Sequence, residues 1–217
     1  MKKILTIILT LLTLPPFLGR AEVGLQEGWS AVPIPDAVWE RMQGKSYTDN
    51  PYIKRSDLRY LRLLYVDKEG KEHVGEMVCN KAIADDLIDI FRELYRQRYP
   101  IERMQLIDDY DANDEKSMRA NNTSCFCMRI VKGSKKLSKH AQGLAVDINP
   151  LYNPYVKVGK DGKRTIQPSN AATYCNRQGK YPYKITVGDK CHKLFINHGF
   201  RWGGAWRTLK DYQHFEK

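Results

Sequence analysis

One stretch sets the strongest condition on any fold of this chain: Ser138-Lys139-His140-Ala141-Gln142-Gly143-Leu144-Ala145-Val146-Asp147-Ile148-Asn149-Pro150. A histidine and an aspartate stand seven positions apart on either side of a glycine, and Leu144 to Ile148 reads as a short buried strand. Gly143 can make the tight turn that brings His140 back towards Asp147. Imidazole nitrogen and carboxylate oxygen are good ligands for a divalent first-row metal, zinc above all. A catalytic zinc takes three protein ligands and keeps a position open for water. The stretch offers two of the three, so the rest of the chain has to supply a third and a base.

The N-terminus narrows where the protein works. Lys2 and Lys3 precede an apolar run from Ile4 to Leu14, followed by Pro15, Pro16 and the small residues Gly19 and Ala21. That is the pattern of a secretory signal peptide over residues 1–21, too short for a bilayer span, and no later stretch is long enough either. The expected protein is exported, periplasmic or secreted, and without a stable membrane anchor once the signal is removed. The chain carries 36 basic and 25 acidic side chains; loss of residues 1–21 removes Lys2, Lys3 and Arg20 and leaves a net +8. Such a surface suits an anionic partner without naming it. No recognised nucleic-acid motif accompanies it, so no nucleic-acid partner is expected. Five cysteines, Cys79, Cys125, Cys127, Cys175 and Cys191, lack paired CxxC spacing. They read as buried thiols or as one disulfide, with Cys175 and Cys191 able to close a loop.

Along the rest of the chain, residues 22–50 read as a small packing extension holding a helix over Asp36–Met42, and residues 51–217 as the main domain. Leu58–Val66 and Lys71–Cys79, joined by Asp67-Lys68-Glu69-Gly70, predict a β-hairpin. Asn80 can cap a helix whose Ile83, Leu87, Ile90, Phe91 and Leu94 recur at helical spacing before Pro100. Met104–Ile107 and Cys125–Val131 read as strands, Asp108–Glu115 as a solvated acidic loop, and residues 151–187 as a long excursion rich in Gly and Pro. Asp189 can cap a final helix that ends at Gly199. Trp202 and Trp206 could wall a substrate cleft, with core packing the preferred assignment. Hairpins with interspersed helices predict an α+β fold, a mainly antiparallel sheet flanked by helices.

Among five histidines, His73 lacks an acid or second histidine at metal spacing, and His192 and His198 lie on different sides of one helix. His214 is the candidate third ligand. Asp211 precedes it by three positions and is a candidate base outside the metal shell. Ser138-x-His140-x-x-Gly143-x-Ala145-x-Asp147 together with Asp211-x-x-His214 closely resembles the zinc peptidases that cut bacterial cell-wall peptides. These comprise D-alanyl-D-alanine carboxypeptidases, D-Ala-D-Ala dipeptidases and L-alanyl-D-glutamate endopeptidases, whose fold is shared with the hedgehog signalling domain. The likeness runs from Ser117-Met118 through Asn122-Thr123, Phe126 and Arg129 to the C-terminus. It implies that His140, Asp147 and His214 bind Zn2+, that Asp211 is the catalytic base, and that Arg129 contacts substrate and steadies developing negative charge. Ser138 is a candidate substrate contact, with a turn serine the other reading. The carboxypeptidase and dipeptidase branches use glutamate before the last histidine, so Asp211 looks more like the endopeptidase branch. The resemblance therefore implies a bacterial zinc metallopeptidase acting on peptidoglycan stem peptides, an L-alanyl-D-glutamate endopeptidase ahead of a D-alanyl-D-alanine carboxypeptidase. A non-catalytic zinc-containing cell-wall binding module is the rival from another class, and the presence of Asp211 argues against it.

Overall fold

The computed structural model describes residues 28–128 and 137–217; residues 1–21 with the signal reading, and Arg129, lie outside them. The architecture is α+β, built from small antiparallel sheets and a few helices. The first sheet takes β1 (Ser30–Val32), β2 (Leu58–Val66) and β3 (Glu72–Asn80) in sequence order, with the β2–β3 hairpin in register from Leu58↔Asn80 to Val66↔Glu72. Its turn closes where the Asp67 carboxylate accepts from Lys71 N at 2.9 Å. Helix α1 (Asp36–Met42) buries Val38 and Met42 with Tyr47, Leu58, Val78 and Phe126 in a second, smaller core.

Helix α2 (Ala84–Arg96) begins after a single 3-10 turn capped by Asn80, whose side chain accepts from Ala82 N. Leu87, Ile90, Phe91 and Leu94 then recur on one face and are buried against Leu61, Leu63, Met77 and Cys79 of the hairpin. Burial of each such side chain stabilises by about 1.5–3 kcal/mol, so this contact anchors the molecule. The same core reaches the second sheet, ordered β4 (Ala145–Asp147), β9 (His214–Glu216) and β7 (Arg201–Trp202). Phe215 stacks on Phe195 of α4 (Lys190–Asn197) with ring centroids 4.2 Å apart. Asp189 caps α4 by accepting from His192 N, and Gly199 closes it at φ +80°.

The long excursion is more ordered than its composition suggests. It folds as a hairpin of β5 (Tyr155–Val158) and β6 (Arg164–Gln167), and β5 also pairs with β8 (Lys210–Asp211). Asn153 ties the excursion down: its Nδ2 donates to the Ile148, Asn149 and Tyr183 carbonyls, while its Oδ1 accepts from Ile185 N and the Arg177 guanidinium.

Three local expectations differ. Met104–Ile107 joins no sheet: Met104 O accepts from Glu76 N, Gln105 is held by the Asn122 side chain, and Ile107 opens a 3-10 turn; Gly75 makes room for the Met104 side chain, since a Cβ there would stand 2.7 Å from it. The acidic stretch is solvated only in part, at Asp109 and Asp111. Asp108 is buried and accepts from Ser46 N and Oγ, and Asp114–Arg119 forms helix α3. Within Cys125–Val131, residues 125–128 are extended without a ladder, bonding instead to Val78, His140 and Ser46 carbonyls.

All five cysteines are free thiols, and Cys79, Cys125, Cys127 and Cys191 are buried. Among the described residues no helix is long and apolar enough to cross a membrane.

Candidate metal centre

The centre is made by two short strands facing each other in register. Asp147 of β4 lies directly opposite His214 of β9, and Val146 opposite Phe215. Side chains alternate across a strand, so Val146 and Phe215 go to the core while Asp147 and His214 share the other face. His140 joins them from a 3-10 turn, His140–Gln142, that ends at Gly143 with φ +67°. A Cβ at Gly143 would stand 2.6 Å from Asn80 N. The turn is pinned where Asn80 N donates to Gly143 O at 2.9 Å and the Ser138 hydroxyl accepts from Ala141 N at 2.9 Å.

His140 Nε2 is 3.1 Å from His214 Nδ1 and 3.2 Å from Asp147 Oδ2, and His214 Nδ1 is 3.0 Å from Asp147 Oδ1. Among the described residues these three form a group whose donor atoms could hold one ion. They are 5 %, 5 % and 7 % exposed, so the cluster is shielded from bulk water. The far side of each ring supports the same orientation. His140 Nδ1 is 2.6 Å from Cys125 O, and a carbonyl can only accept, so Nδ1 carries the proton and Nε2 presents its lone pair. His214 Nε2 faces Glu216 Oε2 at 3.4 Å, which leaves Nδ1 for the centre. Tetrahedral zinc with bonds of about 2.0–2.1 Å separates its ligands by about 3.3 Å, and the donor set and spacing fit that ion.

Burial alone would raise the Asp147 carboxyl, but His140 and His214 outweigh it and hold the group far below the usual carboxylate range. Burial opposes charge on His214, yet its bonds to Asp147 and Glu216 win and push it up to about 10. Asp211 behaves oppositely. Burial pushes its carboxyl up to about 6, opposed by His214 and reinforced by the Asp147 charge. Its Oδ1 has no hydrogen-bond partner among the described residues. Asp211 ends β8, bridged to Tyr155, and shares with the three donors the wall of a cavity of about 340 Å³. Gly203 permits this approach, since a Cβ there would meet Asp211 O at 2.7 Å and His214 Cβ at 3.3 Å.

Ser138, Lys139, Tyr155, Gln167, Trp206 and Gln213 complete much of the cavity wall. Trp202 is core, as preferred for both tryptophans, whereas Trp206 takes the other reading: it is half-buried on the cavity wall with its ring 5.4 Å from His214. Cys125 supplies only its carbonyl, because burial drives its thiol well above the ordinary range. The other histidines are engaged elsewhere: His73 with Asp67, His198 with Asp86, and His192 accepting from Gly188 N. Glu216, Gln213 and Gly203 were not singled out by motif. Only Glu216 carried a local signal, being two positions beyond His214 in a strand and so on its face.

Residues 132–217 match the family model described as D-alanyl-D-alanine carboxypeptidase. That segment is similar to the D-alanyl-D-alanine carboxypeptidase family. The match spans less than half of the chain but contains His140, Asp147, Asp211 and His214. Neither the comparison with curated proteins nor that with solved structures found a match.

Proposed function

We propose that this protein is an exported bacterial zinc metallopeptidase that hydrolyses an amide bond in peptidoglycan stem peptides. The observation that carries the reading is the convergence of His140, Asp147 and His214 with a separate carboxylate, Asp211, on the same cavity wall. His140, Asp147 and His214 would hold the ion. Zinc held by them would supply a water of lowered pKa, about 7, and a Lewis acid for the scissile carbonyl. Asp211, at about 6, is mostly ionised at neutral pH yet basic enough to take a proton from the attacking water and return it to the leaving amine. Trp206 and Tyr155 wall the cleft around the peptide. Ser138 reaches the same cavity while holding its own turn, and Arg129 is assigned a substrate contact from the family likeness alone.

Lys2, Lys3 and the apolar run Ile4–Leu14 support export. Residues 51–217 would be the peptidase domain, with residues 22–50 an extension of it, on a hedgehog/DD-peptidase-like fold. The small antiparallel sheets and the β4–β9 pairing are compatible with that fold. An aspartate as base favours L-alanyl-D-glutamate endopeptidase activity; the description of the matching family favours D-alanyl-D-alanine carboxypeptidase as the second reading. The purified protein, incubated with peptidoglycan and with defined stem peptides, should contain about one zinc per chain. It should release fragments whose masses identify the bond cut. Protein prepared in zinc-containing buffer that retains no metal would sink the reading.

A further inference from the structure

We infer that Glu216 is the positioning residue of the metal centre, fixing the His214 ring from behind, and that Arg201 in turn fixes Glu216. The inference rests on the zinc reading above and concerns a residue that touches neither metal nor substrate. On β9 the strand alternation that sends Phe215 into the core leaves His214 and Glu216 on the same face. Across the sheet, Glu216 is in register with Ala145 on one side and Arg201 on the other. Arg201 Nη2 donates to Glu216 Oε1 at 2.8 Å, and the other oxygen, Oε2, faces His214 Nε2 at 3.4 Å. The Glu216 side chain is only 14 % exposed, whereas Arg201 is 72 % exposed, so the guanidinium closes the row from the solvent side.

The two ligand rings are supported by unlike means. His140 leans on the Cys125 carbonyl, a main-chain acceptor that no substitution removes. His214 has Asp147 on the same nitrogen that would face the ion, so Asp147 cannot also hold the ring from behind. Only Glu216 among the described residues bonds the opposite nitrogen. A carboxylate accepts and never donates, so it selects the tautomer with the proton on Nε2 and the lone pair on Nδ1. Without it, rotation of the ring by half a turn would present carbon where a donor is needed. Support of this kind typically changes metal affinity by about 10- to 100-fold when removed.

Zinc affinity of the full protein, measured by competition with a chromophoric chelator, tests the assignment. With each variant's affinity corrected for the proton that zinc displaces from His214, Glu216→Ala should bind zinc about 10- to 100-fold more weakly. Glu216→Gln, which keeps an acceptor oxygen but loses the charge, should fall between it and wild type, and Arg201→Ala should lose less than Glu216→Ala. The circular dichroism spectrum of metal-free Glu216→Gln should match that of wild type, even as its melting temperature falls with loss of the charge beside His214, which separates ring positioning from loss of fold; if the alanine variant fails to fold, the glutamine variant decides. At saturating zinc, KM for a stem peptide should be unchanged. Zinc affinity equal to wild type in the glutamine variant, or a changed KM with unchanged affinity, overturns the assignment. Wild-type protein that takes up no zinc refutes the metal reading first and this inference with it.

Discussion

Zinc uptake by the metal-free protein should release at least one proton and strengthen about tenfold per pH unit between roughly pH 7 and 9. The perturbation is pH, and the group responsible is His214. Burial disfavours its charge, but the Asp147 and Glu216 carboxylates on either side of the ring raise it to about 10 from 6.5. In the metal-free fold the imidazole is therefore a cation at neutral pH, clamped between two anions. A ligand nitrogen must be neutral on the side that faces the ion, so zinc has to displace the Nδ1 proton. At pH 7, three units below the titration of His214, the apparent affinity should be about a thousandfold weaker than at its plateau above pH 10. The sign for stability is the reverse of that for binding. The raised pKa stabilises the metal-free fold fully below the unfolded value of 6.5, and this contribution is lost as pH rises through about 10. High pH thus weakens the empty fold while it favours the loaded one. Calorimetric titration with zinc in two buffers of different ionisation heat counts the protons directly, and competition titrations from pH 6.5 to 9 give the slope. Affinity flat across that range with no proton released would refute the reasoning, since His214 would then be neutral before the metal arrives.

Asp211→Asn should retain zinc and lose about 10²–10⁴ in kcat/KM; wild-type activity should fall as pH drops through about 6, where the carboxyl protonates, and a pH–rate profile of the variant should lack that limb. Gly143→Ala combines a φ of +67° with a Cβ 2.6 Å from Asn80 N and should destabilise the protein by about 1–3 kcal/mol in urea unfolding, whereas a change under about 0.5 kcal/mol would mean that the turn relaxes freely.

The parts of the centre that could be read from the chain are those in which chemistry and local spacing coincide. His140, Asp147, Asp211 and His214 are uncommon side chains set around a glycine turn and near the C-terminus, and each turned up on one cavity wall. The helices were legible for a related reason. Asn80 and Asp189 cap in the way short polar side chains do, and α2 shows its apolar face at helical period. The misreadings share a different cause. Met104 and Asp108 have environments decided by distant residues, Gly75 and Ser46, whose nearness no local pattern encodes. Composition likewise marked 151–187 as loop, although Asn153 and the β5–β6 hairpin give it a definite course against the strand that carries Asp211.

Cross-strand register is the step that turns a set of ligand types into a site. The pairing Asp147↔His214 places the two donors face to face, and the next row, Ala145↔Glu216↔Arg201, follows from it without further freedom. A slip of one residue would send Phe215 to the cavity and His214 to the core, removing a ligand and its support together. The Phe215–Phe195 stack in the core therefore guards the geometry of the opposite face: the apolar side of β9 sets the register by which its polar side can gather a metal.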